Sequence, residues 1–405
     1  MPNLASQEQL KDLEDHQNNI QKDIPILSFF AGAGFLDIGF LQAGFDVIWR
    51  NEYNSSFIRG FEFATSHMQG FKSNGKVQNT QSVVNLSADQ IAREAFHNLP
   101  KPEKFGMIGG PPCPDFSIGG KNLGGEGDHG KLSQVYVDLI IDLQPTFFLF
   151  ENVPGLLRTK KHRIFLDKLM MQLSEHYFIE FQILNALEYG VPQDRKRLFL
   201  VGFLKKWGFQ NIDVPSVTGC CKQKMFSPSN QEYWNSINML ERQWFSWPIP
   251  LYRDAKTHFP WPKQSPFGEY FEKPEGIPEE LMIGSFVSNL NELSMLPNGL
   301  EGFSPRSCKF STVLEGDVSH KSFKRLHRWR YSPAAAYGNN EVHLHPTEPR
   351  RLTVREALRI QTVPDSYIFP ENLALSHKFK MIGNGVPVRL AHAIAEALAK
   401  FVAYS

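Results

Sequence analysis

Along the first half of the chain, short unbroken apolar runs alternate with longer amphipathic stretches. Ile26-Leu-Ser-Phe-Phe30 has the character of a short buried strand, Ala31-Gly-Ala-Gly34 reads as a tight turn, and Phe35 to Ala43 reads as a helix closed by Gly44. Asp46-Val-Ile-Trp49 is the next strand and ends at Asn51-Glu52-Tyr53. Farther on, Phe105-Gly-Met-Ile108 empties into a loop, and a helix over Leu132 to Leu143 leads to the wholly apolar Pro145-Thr-Phe-Phe-Leu-Phe150. A helix over Lys161 to His176 then precedes Phe178 to Asn185 and the strand Leu198-Phe-Leu-Val201. Strands that lack polar alternation are buried on both faces, and strands separated by helices build a largely parallel sheet. The pattern predicts an α/β, doubly wound fold.

From Lys205 this alternation stops. Residues 206 to 345 are rich in tryptophan, punctuated by prolines between Pro248 and Pro278, and poor in helical periodicity, which predicts an inserted module of loops and short strands. Regular structure resumes at Arg350. Thr353, three residues before Glu356, predicts a capping box, and an alanine-rich stretch from His392 to Val402 predicts a closing helix. The expected organisation is a polar extension over 1–23, a first domain over 24–204, an insertion over 205–349 and a return to the first domain over 350–405.

Composition adds limits. With 405 residues, 41% of them apolar, the chain can bury a sizeable core. Its 43 lysines and arginines face 42 acids, so a surface for nucleic acid must arise from local clustering. Arg306 to Arg330 is such a cluster, with Trp329 and Tyr331 interleaved, a mixture that suits phosphates and bases and that also occurs on solvated faces. Cys113, Cys220, Cys221 and Cys308 form no C-x-x-C pair, so neither a zinc site nor a disulfide framework is legible, and a reduced, cytoplasmic protein is expected. His343 and His345 have no third ligand in view and read as loop residues. No run is apolar for long enough to predict a membrane span, nor do the first residues resemble a signal peptide.

Candidate chemistry gathers where the predicted strands end. Cys113 sits in Gly109-Gly-Pro-Pro-Cys-Pro, a stiff loop that can hold one reactive sulfur at a sheet rim or be a core-edge turn. Glu52 ends the second strand at the place where an acid meets ribose hydroxyls, with Tyr53 beside it as a flat face for a purine. The turn before the first helix has Asp37 where a dinucleotide fingerprint needs its third glycine, so a pyrophosphate cradle is not expected. Glu151 and Asn152 end the Phe147-to-Phe150 run. Arg195 and Arg197, two apart, are expected to point to one side as their strand begins. The glycine-rich stretch 119–130 reads as a lid, and Gly383 and Gly385, flanking Asn384, read as backbone that something approaches closely.

The order of these landmarks, Phe30-Ala-Gly-Ala-Gly34, Asn51-Glu-Tyr53, Pro111-Pro-Cys113, Glu151-Asn-Val153, Gln193-Asp-Arg-Lys-Arg197, Arg350-Arg-Leu-Thr353 and Ile382-Gly-Asn-Gly-Val386, resembles the bacterial DNA (cytosine-5) methyltransferases over about residues 24 to 204 and 350 to 402. The resemblance implies a Rossmann-like class I methyltransferase sheet with an inserted, mostly irregular or β target-recognition domain. It implies S-adenosylmethionine as cofactor, double-stranded DNA as substrate, and a place beside a restriction endonuclease or as an orphan methylase. Phe30, Gly32, Gly34, Glu52, Tyr53, Ser82, Val83, Pro112, Leu132, Asn384 and Val386 would line the cofactor pocket. Cys113 would be the nucleophile and Glu151 the acid, with Arg197 at the base's carbonyl and Asn152 and Arg195 bracing the site. The chain departs from the family at Ser82-Val83, where an aspartate usually meets the adenine, at Phe35 for a glycine, at Ser28 for an acid and at Gly385 for a frequent serine. The related tRNA branch carries a cysteine-phenylalanine-threonine signature not found here, and a silent DNA-binding regulator would have lost Cys113 or Glu151, which this chain keeps.

Overall fold

The computed structural model describes residues 24–68, 76–112, 128–207, 244–304, 307–335, Tyr337 and 341–403. In chain order, β1 (Pro25–Phe29), α1 (Phe35–Gln42), β2 (Asp46–Asn51), α2 (Ser55–Ser66), β3 (Val77–Asn79), α3 (Ala88–Ala95) and β4 (Gly106–Gly109) form the first half of a wound sheet. The second half comprises α4 (Asp128–Leu143), β5 (Phe147–Asn152), α5 (Lys160–His176), β6 (Tyr177–Asn185), the short β7 (Gln193–Asp194) and β8 (Lys196–Leu204). Seven strands share one sheet in the order β3-β2-β1-β4-β5-β8-β6. The first five are parallel, and β8 runs antiparallel to both β5 and β6. The order reverses between β1 and β4, which opens a crevice at the carboxyl ends of the strands.

The apolar runs are buried on both sides because successive strand residues point to opposite faces. Phe148 and Phe150 pack with Leu27, Phe29 and Met107 under α4 and α5. Phe147 and Leu149 pack with Ile26, Val47 and Ile108 on the other face, beneath α1 and the last helix. Elements with weaker patterns were not expected and are present, among them α2, β3 and α3; α2 and α3 start on the caps Asn54 and Ser87, each accepting a backbone N–H in its first turn.

After β8, residues 244–349 are mostly loops with single-turn helices α6 (Ala255–His258), α7 (Leu290–Ser294) and α8 (Lys309–Thr312), and a two-residue strand β9 (Ser332–Pro333). Short helical turns outnumber the strands expected from sequence. The segment also shares its core. Ile283, Leu326, Ala335, Tyr337 and Val342 pack with Ala33 and Phe35 and with residues of α9 (Val354–Ile360) and α10 (Leu375–Asn384). The Thr353–Glu356 capping box forms as expected. The final helix α11 (Val388–Ala403) begins four residues before the expected His392, where Pro387 O accepts the Ala391 N–H at 3.0 Å.

The turn between β1 and α1 shows why glycine is needed there. Gly34 has φ +69°, and a Cβ on it would lie 2.0 Å from the Phe61 ring. Both the backbone conformation and the packing therefore oppose any side chain. We expect Gly34→Ala to destabilise the protein by about 2 to 4 kcal/mol, the left-handed penalty plus overpacking, measured as a lower urea midpoint at unchanged slope.

Candidate active site

The register lines up the strand ends. Phe29 lies opposite both Asn51 and Gly109, and Gly109 lies opposite Phe150. The next residue of each strand therefore forms a row across the rim: Glu52, Phe30, Gly110 and Glu151.

At the β1–β2 end, the Glu52 carboxylate accepts the Gly32 N–H at 3.0 Å and the Asn54 N–H at 2.8 Å. Burial raises its pKa above the usual carboxylate value, against these backbone donors. Its remaining lone pairs can accept hydroxyl protons. Phe30 holds a positive φ and stands edge-on to Tyr136, while Tyr53 is 73% exposed. Ser82 precedes a 3-10 turn whose Val83 is buried, and this turn is tied to β2 by the Asn51 amide donating to Gln81 O at 2.9 Å. Leu132 packs with Phe30 against the same core cluster. Beneath the loop lies a buried ion pair that sequence reading missed. Asp37, read from its position only as a missing glycine, takes Arg50 Nε at 2.8 Å and the Ser28 hydroxyl at 2.6 Å. The serine that replaces a family acid at 28 thus hydrogen-bonds an acid from the next helix.

The two glycines around Asn384 are approached by the protein itself. Gly383 and Asn384 belong to α10, and a Cβ on Gly383 would meet Tyr337 N at 2.9 Å. A Cβ on Gly385 would lie 2.3 Å from the Phe35 ring. The large residue at 35 occupies the space that a side chain at 385 would need, so these two departures from the family pattern compensate each other. Asn384 is exposed, whereas Val386 is buried in the core and can offer only its backbone to a ligand.

At the β4–β5 end, Glu151 pairs with Arg197, Nε to Oε1 at 2.9 Å, with both side chains largely buried. Gly110 makes room for it: a Cβ there would be 2.6 Å from Glu151 Oε2. Burial raises the Glu151 pKa, and the charges of Arg197 and Arg195 oppose that rise. Asn152 donates to Pro111 O at 3.4 Å and accepts the Val153 N–H at 2.8 Å, bracing the loop start. Pro112 is the last described residue of that loop; Cys113 and 119–127 of the expected lid lie outside the described residues.

Two expectations need correction. Arg195 does not face the same way as Arg197, because it lies between β7 and β8 rather than within a strand. It is 1% exposed and donates to Ala335 O at 2.8 Å and Gly383 O at 2.7 Å. The basic cluster is also partly internal. Arg325 is buried and holds the carbonyls of Val313, His345 and Phe310, and Arg328 pairs with the buried Glu315. Trp329 donates to Phe271 O and Tyr331 stacks edge-on to Trp261. Arg306 lies outside the described residues; Lys309 and Lys321 are exposed, the Lys321 ammonium lying 3.8 Å from Glu341. His343 and His345 are buried, and desolvation lowers the His343 pKa to about 3. Among the described residues no group of three or more histidines, cysteines or acids could hold a metal ion, and no helix is long and apolar enough to cross a membrane.

The chain matches the model for C-5 cytosine-specific DNA methylase over residues 24–400. It is 42% identical over 396 residues to the Type II methyltransferase M.NmeDI of Neisseria meningitidis serogroup C, covering 94% of this chain and 85% of that protein. Identity to the Type II methyltransferase M.MthTI of Methanothermobacter thermautotrophicus is 30% over 393 residues, covering 93% and 98%. The fold is shared with the S. pombe Dnmt2 methyltransferase at TM-score 0.56 and 13% identity, over 94% of this chain and 99% of that one. The match over residues 24–400 and the 42% identity over nearly the whole chain show that the chain belongs to the C-5 cytosine-specific DNA methylases and is a DNA (cytosine-5) methyltransferase.

Proposed function

We propose that the protein methylates carbon 5 of a flipped-out cytosine at a specific sequence in duplex DNA, using S-adenosylmethionine and a transient covalent bond from Cys113. The observation that carries this reading is the Glu151–Arg197 pair, 2.9 Å apart, with Glu151 on β5 beside β4, whose loop leads to Cys113, and Arg197 on the adjacent β8. The Type II names of the relatives support a role as the modification partner of a restriction endonuclease.

The residues present fit the cofactor. Glu52, fixed by two backbone donors, keeps lone pairs for ribose hydroxyls, and exposed Tyr53 offers its ring to an adenine. Gly32 has positive φ and nothing nearer than 3.8 Å to a built Cβ, which leaves room for a ligand at the backbone. Phe30, Gly34, Ser82, Val83, Pro112, Leu132, Asn384 and Val386 complete the proposed pocket. When bound, S-adenosylmethionine supplies an electrophilic methyl group on a sulfonium.

Cytosine carbon 5 is a weak nucleophile, so the ring must first be enriched in electrons. The Cys113 thiolate adds to carbon 6, and the electron pair displaced from the 5,6 double bond moves toward ring nitrogen 3. Glu151 in its protonated form donates to nitrogen 3, and Arg197 meets the carbonyl oxygen, so that the charge developing on the ring faces preorganised donors. The resulting enamine makes carbon 5 nucleophilic. Carbon 5 would then take the donor's methyl group as the donor's carbon–sulfur bond breaks and a neutral thioether leaves; loss of the carbon 5 proton to water re-forms the 5,6 double bond and expels the Cys113 thiolate. A stacked base cannot reach the loop, so the nucleotide must leave the helix at a cost of a few kcal/mol.

A duplex carrying 5-fluorocytosine at the target tests the reading, because fluorine cannot leave as a proton. Incubation with methyl donor should yield a protein–DNA adduct that survives denaturing electrophoresis. Absence of adduct while the ordinary duplex becomes methylated would refute the covalent route.

A further inference from the structure

The insertion meets the catalytic strands along a short seam. β9 pairs in parallel with β7, Gln193 opposite Ser332 and Asp194 opposite Pro333. Ser332 N–H donates to Pro192 O at 2.8 Å, and Ala335 N–H donates to Gln193 Oε1 at 3.2 Å. Arg195 closes the seam by holding Ala335 O from the insertion and Gly383 O from the end of α10 in one guanidinium fork. Its own backbone is clamped to the sheet: its N–H donates to Asn185 Oδ1 at 3.0 Å and its carbonyl accepts the Ala186 N–H at 2.9 Å. Two residues later stands Arg197, paired with Glu151.

Arg195 is too deeply buried to touch a substrate, yet its charge acts on Glu151. Three buried polar atoms at the seam, Gln193 Nε2, Arg195 Nε and the Tyr337 hydroxyl, have no hydrogen-bond partner among the described residues. Buried donors without acceptors are costly, and here they leave the seam able to satisfy a second arrangement. A shift of residues 332–335 would change which carbonyls Arg195 holds, and with them the strand that carries Arg197. We propose that Arg195 is a positioning residue through which the seating of the insertion on DNA sets the geometry of Arg197 and Glu151. Discrimination between target sequences is then expressed in the rate of methyl transfer as well as in binding. The inference rests on the catalytic reading above.

The test first reads the methylated sequence from DNA of cells expressing the protein. It then compares a duplex of that sequence with one altered by a single base pair. Gln193→Ala loosens the seam without removing a charge; it should narrow the ratio of kcat between the two duplexes about tenfold, while Kd for the correct duplex stays within about threefold. Arg195→Met should lower kcat on the correct duplex about 100-fold and move the Glu151 limb of the pH profile upward, because a charge that favours the carboxylate is gone. Arg195→Lys restores that charge and should return the limb to its original position without restoring the ratio. Unchanged ratios in Gln193→Ala, or losses that appear wholly in Kd, overturn the proposal. If Arg195→Met does not fold, the Gln193→Ala ratio decides alone. A native enzyme that fails to methylate either duplex at carbon 5 refutes the catalytic reading and this inference with it; a competent native enzyme beside unaltered variants refutes only the coupling.

Discussion

Serine in place of Cys113 is expected to abolish methyl transfer while leaving duplex binding in place. A thiol ionises near pH 8.5, and a helix end or neighbouring cation lowers that further, whereas a serine hydroxyl has no usable anion at neutral pH. The oxygen is also a poorer match for attack on an electron-poor ring carbon. The expected loss is at least about 10⁴-fold in kcat, the scale on which removal of a nucleophile acts. The groups proposed to bind DNA and cofactor are untouched, so a gel-shift affinity near that of the native protein should accompany the loss. Labelled-methyl incorporation into duplex DNA measures the first quantity. Turnover within tenfold of the native rate would remove Cys113 from the mechanism.

Glu151→Gln is expected to have the next largest effect, a fall of about 10² to 10³ in kcat. Glutamine keeps the shape that Gly110 accommodates, where Glu151 Oε2 lies 2.6 Å from a built Cβ. It cannot carry an acidic proton, and it leaves Arg197 without its carboxylate. The pH dependence follows from the direction of the shift. Burial raises the Glu151 pKa, so the carboxyl retains its proton to higher pH than an exposed glutamate. In the proposed mechanism the protonated form acts, so the native rate should fall as pH rises through that raised value. The glutamine variant should show no such limb. A glutamine variant whose alkaline limb matches the native one would assign that limb to another group.

Much of the catalytic half was readable in advance because its signals are local. Phe147 to Phe150 had to be a doubly buried strand, since four apolar residues in succession leave neither face for solvent, and Glu151 had to follow at its end. The helix starting after Thr353 was visible from two side chains three residues apart. Other elements escaped for equally physical reasons. The three-residue β3 is too short to show a period, and its place is secured by Asn79 hydrogen-bonding to Asn51 and Glu94, partners far away in the chain.

The site divides along the same line. Sequence alone determined which residue types stand at the strand ends, because strand length and turn chemistry act between neighbours: Phe30 and Glu52 on one side, Glu151 and the loop toward Cys113 on the other. Only the tertiary structure decided what each does with its charge. Two arginines of the same type, two positions apart, part company because one meets Glu151 at the rim and the other finds the carbonyls of Ala335 and Gly383 inside. Those carbonyls lie 140 and 188 residues away along the chain. Burial, partners and pKa are properties of the assembled neighbourhood, so no local pattern could have told Arg195 from Arg197.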